Sequence, residues 1–234
     1  MLTRRNALKT ALVACSTLAA EQALAQKFCA VQTPKSQVEI TPDQALNLLR
    51  EGNERFIAGR PLNCDLLPQV RATSEKQAPF AAVVGCIDSR VPPELVFDQH
   101  IGDIFAARIA GNFVNDDIIG SLEFATQLAG AKAIVVLGHG GCGAVKGAVD
   151  DARLGLLSGV LAQIRPSLAK LQYQGVPSSS NTELVQRVAE QNVRDAVARL
   201  NTRSEVLTKL VRADQLKIVG AMHDIETGKI RWLS

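Results

Sequence analysis

Residues 134–149 read "IVVLGHGGCGAVKGAV". Ile134 to Leu137 form a short, unbroken apolar run. Such a run fits a strand buried on both faces, as in a parallel sheet. A glycine-rich turn follows, and then a stretch with helical character. Strand, tight turn and helix in this order are the repeating unit of α/β folds. The turn itself supports two chemistries. Gly138, Gly140 and Gly143 satisfy G-x-G-x-x-G, the pattern of a dinucleotide-binding turn, while His139 and Cys142 form H-x-x-C, a spacing of metal-ligand residue types.

The nucleotide reading needs more than glycines. It requires a second strand after the helix and an acidic residue about 20 positions beyond the turn. Residues 144–172 read as helix, Ser158 stands at that offset, and Asp150 and Asp151 come too early. The fingerprint also normally opens its domain, whereas two strands precede this one. Dinucleotide binding is therefore set aside.

Working outward, "FAAVVGC" (80–86) and "DIFAARIA" (103–110) are two further strands. "TPDQALNLLREGNERFIAG" (41–59) is a helix capped by Thr41, with Pro42 at its first position. Residues 60–79 read as polar, proline-bearing loop with one short helical turn. "PPELVFDQ" (92–99) is a short helix, and 115–130 is a helix capped near Asn115 and closed by Gly130. Helices continue to about residue 213, interrupted near Pro166 and at 174–181. "LKIVGAMHDIETGKIRWL" ends the sequence as a hairpin with its turn at Thr227-Gly228. The expected fold is α/β, a mostly parallel central sheet flanked by helices, with a C-terminal antiparallel strand and an extended N-terminal helix. Functional groups in such sheets gather at the carboxyl ends of the strands. Cys86 and His139 both stand there, and Cys142 follows within one turn.

Cys86, His139 and Cys142 make a Cys2His set. Zinc takes thiolate and imidazole ligands tetrahedrally, and catalytic sites leave a fourth position open. On this reading Gly140 and Gly141 let the backbone bend around the ion. The competing reading is a buried apolar cysteine with a hydrogen-bonded histidine. The flank "CIDSRV" adds Asp88 and Arg90, a pair able to form a charge-assisted contact. That pair is either loop scaffolding or a carboxylate serving the metal.

"CIDSRV", with His139 of "HGGC" 49 residues beyond Arg90, resembles the β-class carbonic anhydrases, whose motifs are C-x-D-x-R and H-x-x-C. The similarity runs from the "LLREGNERFIAG" helix to the C-terminal hairpin. It implies Cys86, His139 and Cys142 as zinc ligands and Asp88 with Arg90 as a catalytic dyad. It implies reversible hydration of carbon dioxide to bicarbonate, with Gln77 donating its amide to substrate and Phe105 as an apolar wall. Two departures stand out. Phe124 replaces a common tyrosine. Val83 stands where the bicarbonate-regulated subgroup has tryptophan, although Arg108 matches that subgroup's arginine, so an ungated, open enzyme is expected. His100 and His223 are candidate proton shuttles, each with a structural alternative. Family members are dimers or larger homo-oligomers, so the N-terminal helix is expected to reach across a partner, with Gln77 serving the neighbouring site. A carbonyl sulfide or carbon disulfide hydrolase on the same scaffold and a non-catalytic zinc protein remain alternatives.

The first 25 residues differ from the rest. "MLTRRNALKTALVACSTLAAEQALAQ" has a basic start, a short apolar middle and Ala23-Leu24-Ala25 before Gln26, the layout of an export signal. Arg4-Arg5 gives it a twin-arginine character and a periplasmic destination. "LVAC" at Cys15 leaves lipoprotein anchoring as a minor alternative, and the apolar run is shorter than the roughly 20 residues of a membrane span. Residues 26–234 are then one domain. Without the signal, 23 basic residues face 22 acidic ones, a net charge of +1, so the sequence carries no concentrated positive face for nucleic acid. Cys29 and Cys64 remain either a disulfide permitted by an oxidising compartment or two free buried thiols.

Overall fold

The computed structural model describes residues 29–233. The export-signal expectation, with Arg4, Arg5 and Cys15, lies outside the described residues. In chain order the elements are α1 (Pro34–Glu39), α2 (Pro42–Ile57), α3 (Leu66–Thr73), β1 (Ala81–Gly85), α4 (Pro93–Val96), β2 (Ile104–Arg108), α5 (Asp116–Glu123), β3 (Ala133–His139), α6 (Gly143–Val149), α7 (Leu157–Lys170), α8 (Thr182–Arg203), α9 (Glu205–Arg212), β4 (Lys217–His223) and β5 (Ile230–Leu233). A π-type turn, Phe124–Leu128, prolongs α5.

The strands form one sheet in the order β2-β1-β3-β4-β5. β1, β2, β3 and β4 are parallel, and β5 returns antiparallel to β4. The apolar runs belong to the central strands because those strands are covered on both sides. Ala82, Val84, Ile134 and Val136 face a core built with α5, α6, α7 and α8. Ala81, Val83, Val135 and Leu137 face a second core with α2 and α4. β2 lies at the sheet edge and leaves Ala106 exposed.

Local signals mark the helix starts. Thr33-Pro34 and Thr41-Pro42 each place a threonine cap before a proline, and both threonines complete reciprocal capping boxes, with Ser36 and Gln44. Asn115 caps α5 by accepting from Ile118 N–H at 3.0 Å. Asn53, buried in α2, donates to Val96 O and Gly228 O and accepts from Ile230 N–H, tying α2 to α4 and the hairpin.

Several sequence expectations need correction. Pro166 does not break its helix but sits inside α7. Its missing N–H would have served Ala162, and both residues lie on the exposed side, where water replaces the bond. The actual break in 144–172 is the turn between α6 and α7, where Asp151 takes φ 51°. Residues 60–79 contain the two-turn helix α3, capped by Asp65. α2 packs on its own chain through one face. Ala45 and Leu49 are fully buried against its own sheet, so its apolar face is used within the chain.

Candidate metal centre

The parallel register brings the carboxyl ends of β1, β3 and β4 to one edge of the sheet. Gly85 pairs with Leu137, so Cys86 leaves β1 beside the carboxyl end of β3. His139 ends β3, and Cys142 stands at the start of α6. The three ligand atoms of Cys86, His139 and Cys142 lie within 4.8 Å of one another, and all three residues are buried. The two sulfurs are 3.9 Å apart.

These residues fit a metal for reasons visible in the geometry. His139 Nδ1 lies 3.0 Å from Gly140 O, which fixes the proton on Nδ1 and leaves the Nε2 lone pair free. That Nε2 is fully buried and has no partner among the described residues. An orphaned buried nitrogen aimed at two thiols is costly unless a cation completes it. The thiols argue the same way. The Cys86 thiol is pulled well below its ordinary range, chiefly by the Cys142 side chain and against the cost of burial, with help from His139 and the Gly111 and Asp88 N–H groups. The Cys142 thiol is pushed up by Cys86 and by burial. Two sulfurs this close ionise together only if a cation lies between them. Two thiolates with one imidazole are a zinc donor set.

The turn glycines divide their work. Gly141 takes φ 63°, the left-handed region, and makes the bend. A side chain on Gly140 would meet nothing closer than Gln186 Oε1 at 3.7 Å, so the bend does not depend on Gly140 as expected. At Gly138 an added methyl would lie 2.6 Å from Val193 Cγ2, so this glycine admits α8 against the sheet.

Asp88 and Arg90 form a two-pronged pair, with Nε to Oδ1 at 2.9 Å and Nη2 to Oδ2 at 2.7 Å. Arg90 N–H adds a third bond to Oδ1 at 3.0 Å. The guanidinium holds the Asp88 carboxyl well below the usual carboxylate range, so it stays charged. Asp88 Oδ2 lies 3.8 Å from His139 Nε2, at the mouth of the ligand set. Arg108 plays a part the sequence did not reveal. It donates to Cys86 O at 2.9 Å and to Asp88 O at 2.6 Å, clamping the "CIDSR" loop. Gly111 N–H donates to Cys86 Sγ at 3.3 Å. Contacts to backbone carbonyls and sulfur from residues 20 positions on leave no motif, so only the fold shows them.

The remaining expected residues do not converge here within one chain. Gln77 precedes β1 and Cys86 follows it, and five strand residues separate the two ends by about 17 Å. Gln77 is exposed beside Thr73, Lys76 and Ile101. Phe105 sits mid-strand, in register with Ala82, and packs edge-on against Phe124 with ring centres 6.1 Å apart. It lines a groove of about 860 Å³ along β2 and α5 that includes none of the three ligands. Val83 is buried in the core. His100 lies at the amino end of the sheet and pairs with Asp103 at 3.1 Å, so it is structurally remote from the ligands. His223 ends β4 in register with His139 and lacks partners on both ring nitrogens among the described residues. Burial pushes its imidazole pKa down, and the neighbouring His139 adds to this.

Comparison with known proteins agrees with this architecture. Residues 81–230 match the family model described as carbonic anhydrase. The chain is 35% identical to carbonic anhydrase 2 of Mycobacterium tuberculosis over 80% of its own length and 91% of the relative's. It is 34% identical to a carbonic anhydrase of Mycolicibacterium smegmatis, covering 81% and 92% of the two chains. Among solved structures, it resembles the β-carbonic anhydrase CafA of Aspergillus fumigatus at TM-score 0.64 and 30% identity, covering 72% and 82%. It also resembles tetrameric β-carbonic anhydrases of Sordaria macrospora at TM-score 0.62 and 26% identity, covering 72% and 85%. The chain belongs to the β-class carbonic anhydrase family and is an enzyme of that family.

Proposed function

We propose that this enzyme reversibly hydrates carbon dioxide to bicarbonate and a proton, using zinc held by Cys86, His139 and Cys142. The observation that carries the reading is the buried, unpartnered His139 Nε2 facing two thiols, with an ionised carboxylate 3.8 Å away. Zinc bound there would supply Lewis-acid activation of water, lowering its pKa toward about 7.

The chain's own groups set the rest. Asp88 offers a charged acceptor beside the site and can take a hydrogen bond from the attacking water. Arg90 occupies both carboxylate oxygens, which keeps Asp88 from turning inward as a fourth ligand. Arg108 holds the loop that presents both groups. This arrangement fits an open enzyme, and substantial activity below about pH 8 is expected. Stopped-flow hydration with metal analysis of the same sample tests the reading. Stoichiometric zinc with no hydration, or hydrolysis of carbonyl sulfide alone, overturns it.

A homo-oligomer accounts for Gln77 and Phe105. Neither reaches its own chain's ligands, and the Sordaria macrospora neighbours are described as tetrameric. The exposed edge of β2 and the groove beside it offer a surface for a second copy. If Gln77 serves a neighbouring site, mixing unfolded Gln77→Ala and Cys86→Ala chains and refolding them restores part of the activity. Export through the twin-arginine-like signal is the accompanying proposal on location, supported by Arg4-Arg5 and by the Cys29–Cys64 disulfide. A secreted form beginning at Gln26 is the expected product, and recovery of residues 1–25 on it refutes the cleavage.

A further inference from the structure

We propose that Cys29–Cys64 is a redox-active disulfide, served by His100 and Asp103, that exchanges with dithiols. The structure closes this bond with a Cα–Cα distance of 5.5 Å, which decides the pairing the sequence left open. What sets it apart from a plain staple is its surroundings. His100 Nε2 lies 3.4 Å from Cys64 Sγ. On the other side of the ring, Nδ1 lies 3.1 Å from Asp103 Oδ2. The same Oδ2 accepts from His100 N–H at 3.1 Å, and Oδ1 accepts from Gln32 N–H at 3.3 Å. Asp103 is buried, and its carboxylate fixes the Nδ1–H tautomer. Nε2 is thereby aimed at one sulfur of the pair. Asp65, next to Cys64, spends its carboxylate on Leu67 N–H. Cys29, Cys64 and His100 are each only partly buried, so the bond lies outside the sealed core.

The asymmetry assigns the roles. A thiolate of the dithiol attacks Cys29 Sγ and forms a mixed disulfide. The Cys29–Cys64 bond breaks, and its electron pair leaves on Cys64 Sγ, where His100 in its protonated form donates from Nε2. A lower leaving-group pKa speeds exchange. The dithiol's second sulfur loses its proton to solvent, attacks the mixed disulfide, and expels Cys29 as a thiolate that takes a proton from solvent. The dithiol ends oxidised, and Cys29 and Cys64 end reduced. Reduction frees the segment before α1 from the loop before α3. His100 and Asp103 precede β2, so the exchange occurs at the sheet end opposite the metal ligands.

Glutathione serves as the trapping probe on the zinc-loaded protein, with acid quenching and peptide mapping. The first adduct is expected on Cys29, and an adduct first on Cys64 overturns the assignment. Dithiothreitol then reads the rate. His100→Gln is expected to slow reduction of this bond at pH 7 by about tenfold or more, and Asp103→Asn to slow it less. Iodoacetamide labelling of the reduced protein is expected to show Cys64 ionising at lower pH than Cys29, with His100→Gln erasing the difference. An unchanged reduction rate in His100→Gln, or equal labelling profiles in the wild type, refutes the proposal. The glutathione mapping needs no variant, so it decides the matter even where a substitution impairs folding.

Discussion

Gly52→Ala is the substitution for which local and tertiary effects most clearly oppose each other. Gly52 lies within α2, where alanine is favoured over glycine by about 1 kcal/mol. On the helix alone, the change stabilises. In the folded protein, the added Cβ would sit 1.7 Å from Phe97 O and 2.8 Å from Phe97 C. These are backbone atoms of the segment that follows α4, so no side-chain rotation relieves the overlap. α2 has to lift, and Asn53 is the next residue. Its three hydrogen bonds, to Val96, Gly228 and Ile230, span 2.9 to 3.0 Å and are made inside the protein. Overpacking costs about 1–3 kcal/mol, and each buried hydrogen bond left unmade costs about 1–3 kcal/mol. With one bond lost, the net cost after the helical gain is about 3 kcal/mol. At roughly 2–4 °C per kcal/mol for a chain of this size, the midpoint falls by about 6–12 °C. Gly159→Ala is the matched control: it lies in α7 with nothing within 4 Å of the methyl that alanine adds, and it should gain about 0.4–1 kcal/mol. Calorimetry on both, at equal metal content, is the assay. A Gly52→Ala midpoint within about 2 °C of wild type refutes the close-approach argument.

Other perturbations separate binding from turnover and folding. Asp88→Asn should retain zinc and lose about a hundredfold or more in kcat/KM, while Cys86→Ala should lose zinc itself; metal analysis beside stopped-flow rates distinguishes them. Arg108→Met removes two donors from the "CIDSR" loop and should cost about tenfold in activity with metal content unchanged, about the value of one hydrogen bond. Replacing Cys29 and Cys64 together by serine opens a loop with sequence separation 35 and should cost about 4 kcal/mol in denaturant titration. The Asp88–Arg90 pair also has a pH signature. Because Arg90 lowers the folded pKa of Asp88, its stabilising contribution is complete above the unfolded pKa of about 3.9 and fades as pH falls toward the folded value. The stability difference between wild type and Asp88→Asn should therefore hold constant from about pH 7 to about pH 5 and shrink below about pH 4; growth of that difference in acid contradicts the pairing.

The sequence by itself determined the fold class, and it singled out the candidate ligands and the Asp-x-Arg pair beside them. Unbroken apolar runs such as Ala81–Val84 and Ile134–Leu137 announce buried parallel strands, because both faces of each strand must be covered. That Cys86, Asp88, Arg90, His139 and Cys142 come together was legible because candidate ligands and charge pairs are marked by residue type at short spacing. Local caps were equally plain, as at Thr41-Pro42. Residues acting over long separations were not. Arg108 reaches Asp88 across 20 positions, and Asn53 reaches Ile230 across 177. Both act on backbone atoms, which every residue possesses, so no residue pattern records the contact. The Cys29–Cys64 pairing and its facing His100 belong to the same group. Pro166 failed as a helix breaker because tertiary packing holds α7 together while water serves the freed carbonyl. Gln77 and Phe105 were recognisable by position, yet β1 places Gln77 at the far end from Cys86. Sequence spacing fixes what a short loop can present, but only the paired register of the strands decides which ends meet.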